Sequence, residues 1–181
     1  MTYIEANLVK GCIAGNRKCQ SELYVLYAPK LMVVALRYAR RREEAEDILQ
    51  ESFIKIFRSL AQFKGEGSLE GWMRRVTVNT ALDFYRSKVH LNPVVSMDVV
   101  DERNYTNEDI FGNINAKDLV RMVQNLPAAC RLVFNLYVFE GYKHKEIAVL
   151  LNISEGTSKS NLYDARLLLQ RSIKKSKSVA N

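Results

Sequence analysis

The sequence predicts an all-α protein of two small helical domains joined by a flexible linker, the second domain containing a helix-turn-helix. Apolar residues recur at helical spacing through most of the chain, and no stretch reads as a strand or an internal repeat. Between them, residues 91–115 lose that periodicity and gain Pro93 and several Asn and Asp. Charge divides the chain at the same points: 15 basic and 10 acidic residues through position 90, 1 and 5 over 91–115, and 11 and 5 thereafter. Two basic modules separated by an acidic connector fit a protein that meets a polyanion at two places. The expected domains are therefore 1–90 and 116–181, with 91–115 between them, a stretch that extends to ~80 Å at most.

Residues 21–42 have helical spacing, but Pro29 has no backbone N–H and is expected to end one short helix and open another. Over 43–61, Ala45, Leu49, Phe53, Ile56 and Leu60 fall on one stripe at ~100° per residue, a core-facing helix. Residues 63–68 interrupt the pattern with Gly65 and Gly67, after which Leu69, Met73, Val76, Thr80 and Phe84 resume one face. In the second module Leu119, Val123 and Leu126 lead to Pro127, suited to the first turn of a new helix that runs through 131–139 and ends at Gly141.

Composition excludes several classes. With 48% hydrophobic and 26% charged residues the chain is globular rather than disordered. Cys12, Cys19 and Cys130 are odd in number and lack CxxC pairing, so no disulfide framework or structural zinc is expected, and a reducing cytoplasm suits the chain. No apolar run reaches membrane-spanning length and residues 1–10 lack a signal-peptide core. His90 and His144, the two histidines, lie in different modules with no nucleophile or carboxylate pair in a recognisable motif. No enzyme activity, cofactor or metal is expected.

The sharpest signal is in residues 142–170. A short helix ending in Leu150-Leu151 meets Asn152-Ile153-Ser154 and a second helix, the spacing of a helix-turn-helix. Asn152 suits the left-handed closing position, Ile153 the angle between the helices, and Ser154 the cap of the second. On that helix Leu162, Ala165 and Leu169 face the core. Lys159, Tyr163 and Arg166 gather within roughly 60° on the other side, as a helix in a DNA major groove requires. An ordinary helical hairpin is the plainer alternative.

Two further faces carry chemistry. On the helix after residue 68, Trp72, Arg75, Asn79, Asp83 and Arg86 share a sector of about 80°. Trp stacks on an unpaired base, Asn offers a donor and acceptor to a base edge, and Arg holds phosphate; a core Trp72 with intrahelical ion pairs reads equally well. On 43–61 the outward face shows Asp47, Gln50, Glu51, Ile54 and Arg58, an apolar residue among charges, as at protein contacts. A solvated helix with one stray Ile is the alternative.

Three segments together resemble the sigma factors of bacterial RNA polymerase, in the small extracytoplasmic-function form that keeps only the second and fourth conserved regions. They are Glu46-Asp47-Ile48-Leu49-Gln50-Glu51-Ser52-Phe53-Ile54-Lys55, Gly71-Trp72-Met73-Arg74-Arg75-Val76-Thr77-Val78-Asn79-Thr80-Ala81-Leu82-Asp83, and Ile153-Ser154-Glu155-Gly156-Thr157-Ser158-Lys159-Ser160. The resemblance implies a factor that binds core polymerase, selects promoters and helps melt them. It implies that Asp47, Gln50, Glu51 and Ile54 dock on the β′ clamp helices, and that Phe63, Lys64, Gly65, Trp72, Arg75, Asn79, Asp83 and Arg86 read and open the -10 element. Gly156, Thr157, Lys159, Ser160, Tyr163 and Arg166 would bind the -35 element, with the β flap as a further polymerase contact. It also implies a cytoplasmic protein, monomeric when free, with an anti-sigma protein as a candidate partner.

The chain departs from the family pattern at Ser158, usually valine, at Asn161 and Asp164, usually basic, and at Lys143, usually Ser or Thr. A looser reading-helix core, a weaker phosphate grip and an uncapped helix at Lys143 are expected from these changes. Rival readings are a dimeric helix-turn-helix regulator independent of polymerase, a structural helical adaptor, and a nuclease, which would need clustered acidic metal ligands, whereas Asp98, Asp101 and Glu102 fall in the linker and read as solvated.

Overall fold

The computed structural model describes residues 3–91 and 116–179, with side-chain surroundings for 4–87 and 117–175. The expected linker, including Pro93, Asp98, Asp101 and Glu102, lies outside the described residues save for Leu91. Among the described residues all regular structure is helical, and the chain divides into two compact units, Met1–Leu91 and Asn92–Asn181.

The first unit holds α1 (Tyr3–Ile13), α2 (Arg17–Tyr38), α3 (Arg42–Ser59), a 3-10 turn (Leu60–Gln62) and α4 (Leu69–Leu91). No helix was expected at α1. It buries Val9 and Cys12, and its Glu5 carboxylate accepts a 2.9 Å bond from the Tyr27 hydroxyl of α2. Burial, then the bond to Glu5, pushes the Tyr27 phenol up to about 12; burial likewise raises the Cys12 thiol to about 11. Asn16 starts α2 earlier than expected, its Oδ1 accepting from the N–H groups of Lys18 and Cys19 at 2.9 and 3.2 Å.

The expected break at Pro29 is corrected: α2 runs through it as one helix. The missing N–H leaves the Val25 carbonyl without its i+4 donor, and Val25 and Pro29 both lie on the exposed side, where an unpaired carbonyl costs least. Leu23, Tyr27, Leu31 and Ala35 are buried on the other side, and their packing outweighs an interior proline's ~3 kcal/mol.

On α3 the expected stripe is the buried one: Ala45, Leu49, Phe53 and Ile56, continued by Leu60, are all in the core. Ile56 is fully enclosed, so truncation to Ala costs about 2–5 kcal/mol. Ser68 caps α4, its Oγ accepting from Gly71 N–H at 2.9 Å, and Leu69 and Met73 complete the core beneath it.

The second unit holds α5 (Ala116–Gln124), α6 (Ala128–Phe134), a π-helical turn (Asn135–Phe139), α7 (His144–Leu151) and α8 (Glu155–Val179). Pro127 sits one position before α6 rather than in its first turn. Buried Arg131 donates from Nη1 to the Gln124 and Leu126 carbonyls at 2.6 and 3.2 Å, closing the end of α5. The expected continuous helix over 131–139 is interrupted by the π turn, whose wider bond joins Glu140 N–H to Asn135 O at 3.1 Å.

The helix-turn-helix follows the sequence reading. Asn152 is left-handed at φ 53°, ψ 49°, and the next amide, Ile153, donates to Ala148 O at 3.0 Å. Ser154 Oγ accepts from Thr157 N–H at 2.9 Å and starts α8. Leu162, Ala165 and Leu169 are buried, and α8 packs on α6 and α7. As expected, Lys143 makes no side-chain cap; Glu146 instead accepts from its backbone N–H at 2.6 Å.

Candidate nucleic-acid and polymerase interfaces

Three faces result, two on the first unit and one on the second. On α3, Asp47, Gln50 and Glu51 are exposed, and Ile54 stands 44% exposed among them. The buried stripe lies on the opposite side, so this face does not build the core. Arg58 is exposed at its far end.

The α4 face is mixed. Arg75, Asn79, Asp83 and Arg86 are exposed, whereas Trp72 is half-buried against the core with its ring 5.5 Å from that of Phe63. Trp72 therefore serves packing and surface together, and Phe63 is its packing partner rather than a free loop tip. Lys64, Gly65, Glu66 and Gly67 beyond it are exposed, and Gly65 and Gly67 have φ of 76° and 84°, a left-handed backbone that favours glycine. Asp83 is engaged: Lys55 Nζ of α3 lies 3.0 Å from one carboxylate oxygen and Arg86 Nη1 3.4 Å from the other. This carboxylate holds two cations at the rim of the face, and no sequence signal linked it to Lys55.

On α8, Gly156, Lys159, Ser160, Tyr163 and Arg166 are exposed, Tyr163 at 67%. Thr157 is exposed too, but its Oγ1 lies 2.8 Å from Ser154 Oγ, within the cap. Lys159 Nζ pairs with Glu155 at 2.7 Å. Hydrogen bonding from Lys159 holds the Glu155 carboxyl below the usual carboxylate range, with the nearby charges of Lys159, Lys145 and His144 adding to it. The Arg166 guanidinium lies 5.8 Å over the Tyr137 ring.

The departure at Ser158 does not loosen the helix core. Ser158 is fully buried and its Oγ lies 2.9 Å from His144 Nδ1, so the hydroxyl is satisfied. The other departures do reduce positive charge: Asn161 accepts from the Cys130 thiol at 3.8 Å, and Asp164 is exposed on α8. Burial, then the Asp164 charge, raises the Cys130 thiol. Among the described residues no cluster of His, Cys, Asp or Glu fits a metal, and no helix is long and apolar enough to cross a membrane.

Two family models match the chain, Sigma-70 region 2 over residues 23–90 and Sigma-70, region 4 over residues 116–169. The chain belongs to the sigma-70 family. It is of the extracytoplasmic-function type, a sigma factor that binds core RNA polymerase and directs it to specific promoters. Similar relatives include the RNA polymerase sigma-H factor of Pseudomonas aeruginosa, 23% identical over 93% of each chain. The ECF RNA polymerase sigma-E factor of Salmonella typhimurium is 28% identical over 88% of each. In fold this sigma factor is similar to the sigma factor RpoE from Bartonella quintana, solved with the anti-sigma factor NepR. That match has a TM-score of 0.52 and 21% identity, and covers 85% of this chain and 96% of that one. A dimeric regulator independent of polymerase is not favoured by these likenesses.

Proposed function

We propose that this sigma factor divides initiation among three faces: α3 docks on the polymerase clamp, the 63–68 loop with α4 acts on the -10 element, and α8 reads the -35 element. The observation that carries this division is the recognition helix. Lys159, Tyr163 and Arg166 stand exposed on one side of α8 while Ser158, Leu162, Ala165 and Leu169 are buried on the other. A helix packed in this way presents donors and one aromatic to a major groove, where Arg and Lys reach guanine or phosphate and Tyr packs on a thymine methyl. Gly156, Thr157 and Ser160 form the groove-facing start of the helix.

On the first unit, Asp47, Gln50, Glu51 and Ile54 form the clamp-docking face. Arg75, Asn79 and Arg86 contact DNA strand and phosphate, and Trp72 with Phe63 forms an aromatic step at which an extruded base stacks. Lys64 and Gly65 bring the loop backbone to that base. Asp83 acts indirectly, by orienting Lys55 and Arg86 toward phosphate. The protein works by binding alone, without catalysis, as a cytoplasmic monomer until it meets polymerase, and α5–α8 also engage the β flap. An anti-sigma protein is a fitting partner, since the similar Bartonella quintana factor was solved with one.

The test is a promoter selection. Holoenzyme rebuilt with this chain is offered DNA randomised at the two elements. Arg166→Ala is expected to relax choice at the upstream element only, and Asn79→Ala at the downstream element only. Loss at both elements from either change would refute the division.

A further inference from the structure

The second unit contains a closed circuit of contacts that begins and ends on α8. Ser158, buried in the face of α8 that packs on the domain, meets His144 Nδ1 at 2.9 Å. His144 opens α7 and stacks on Tyr137 with ring centroids 4.7 Å apart and planes 24° from parallel. Tyr137 lies in the π-helical turn, and its other neighbour is the Arg166 guanidinium, 5.8 Å from the ring centroid. Arg166 is eight residues along α8 from Ser158, about 12 Å or two turns.

We propose that Tyr137 and His144, locked by Ser158, form a positioning unit that presets Arg166 for reading bases; the proposal rests on α8 being the DNA-reading helix. A π turn inserts one extra residue into the helical phase, which swings Tyr137 out of the α6 register and toward α7 and α8. The parallel ring stack fixes the tyrosine plane, and the bond to the fully buried serine fixes the histidine plane. Arg166 is thus oriented by a neutral aromatic face. Two other cations assigned to DNA contact are held differently: Lys159 by Glu155, and Arg86 of the first unit by Asp83. A carboxylate partner occupies the donors that a base edge needs and cancels the charge. A ring face leaves the in-plane N–H donors of the guanidinium free and restricts its rotation, so less freedom is lost when a bidentate contact forms. Tyr137 and His144 are positioning residues, and neither needs to touch DNA.

Holoenzyme made with wild type, Tyr137→Phe, Tyr137→Ala, Ser158→Val, Arg166→Ala and the Tyr137→Ala/Arg166→Ala double variant is used to select from a promoter library randomised at the -35 element. Binding to an unrelated duplex is followed across a salt series. Tyr137→Ala is expected to weaken discrimination at the base step lost in Arg166→Ala by about two- to fivefold, the range of an exposed cation–π contact. Binding to the unrelated duplex and its salt slope should hold, measured below the melting transition of every variant, since loss of the ring stack with His144 also lowers the melting temperature. Tyr137→Phe, which keeps the ring, should match wild type. Ser158→Val, which fills the site without the hydroxyl, should lose part of the discrimination. The double variant should be no worse than Arg166→Ala. Effects that add in the double variant, or an equal loss on all sequences from Tyr137→Ala, overturn the proposal while leaving α8 as the reading helix. Unchanged selection by Arg166→Ala overturns the use of Arg166 in base readout and the proposal with it.

Discussion

Trp72 and Asn79 lie two turns apart on α4, and their different burial separates DNA melting from stability. Trp72 is half-buried against the core and against Phe63. A fully buried Trp costs about 3–5 kcal/mol on truncation, so Trp72→Ala should cost about 2 kcal/mol, including the ring pair with Phe63. In a small domain that lowers the melting temperature by roughly 10 °C. Asn79 is exposed, and Asn79→Ala should stay within about 0.5 kcal/mol of wild type. On the proposed role of this face, both variants also lose a contact to unpaired DNA, worth about 1–3 kcal/mol for a stacked base at Trp72. Permanganate reactivity of thymines near the start site, measured well below the melting transition on duplex and pre-melted templates, reads the second effect alone. Both variants should open the duplex promoter poorly, and the pre-melted template should rescue both in part. Wild-type opening by Asn79→Ala, or no rescue of Trp72→Ala by the pre-melted template, would refute the single-strand role of this face.

Reversing charge on α3 with Asp47→Arg and Glu51→Arg should weaken capture of core polymerase at least ~10-fold with the fold intact, since both carboxylates are exposed opposite the core stripe; unchanged capture would remove this face from the interface. Glu155→Gln should release Lys159, raise affinity for non-promoter duplex and steepen its salt slope by about one phosphate contact. A flat response would mean that Lys159 does not reach DNA. The phenol of Tyr27 ionises at 10.0 when unfolded and at about 12 when folded, so its contribution is complete below pH 10 and is lost as pH rises toward 12. Urea midpoints over that range should fall for wild type and fall less for Tyr27→Phe; parallel curves would contradict the shift.

What the sequence could disclose was set by how local each cause is. The α3 stripe, the left-handed Asn152 and the Ser154 cap each depend on residues within one or two turns, and all were legible. Pro29 misled because its cost is local while the compensation, burial of Leu23, Tyr27 and Leu31, comes from other helices. The π turn has no signature in composition, and Tyr137, which stacks on His144, lies within it. Ser158 stood out as an oddity, but its meaning required a histidine fourteen positions earlier. The surface pairs Lys55–Asp83 and Glu155–Lys159 engage two of the residues expected at DNA, and the first of them joins different helices.

On the proposed division of faces, one chain supplies both promoter readout and polymerase docking. The most direct measurement is transcription of the source organism's genomic DNA by core polymerase, with and without the purified protein, followed by sequencing of the RNA 5′ ends. New start sites that share two upstream elements at a fixed separation are expected, and those sites should be lost with Asp47→Arg/Glu51→Arg. Start sites indistinguishable from those of core polymerase alone would contradict it.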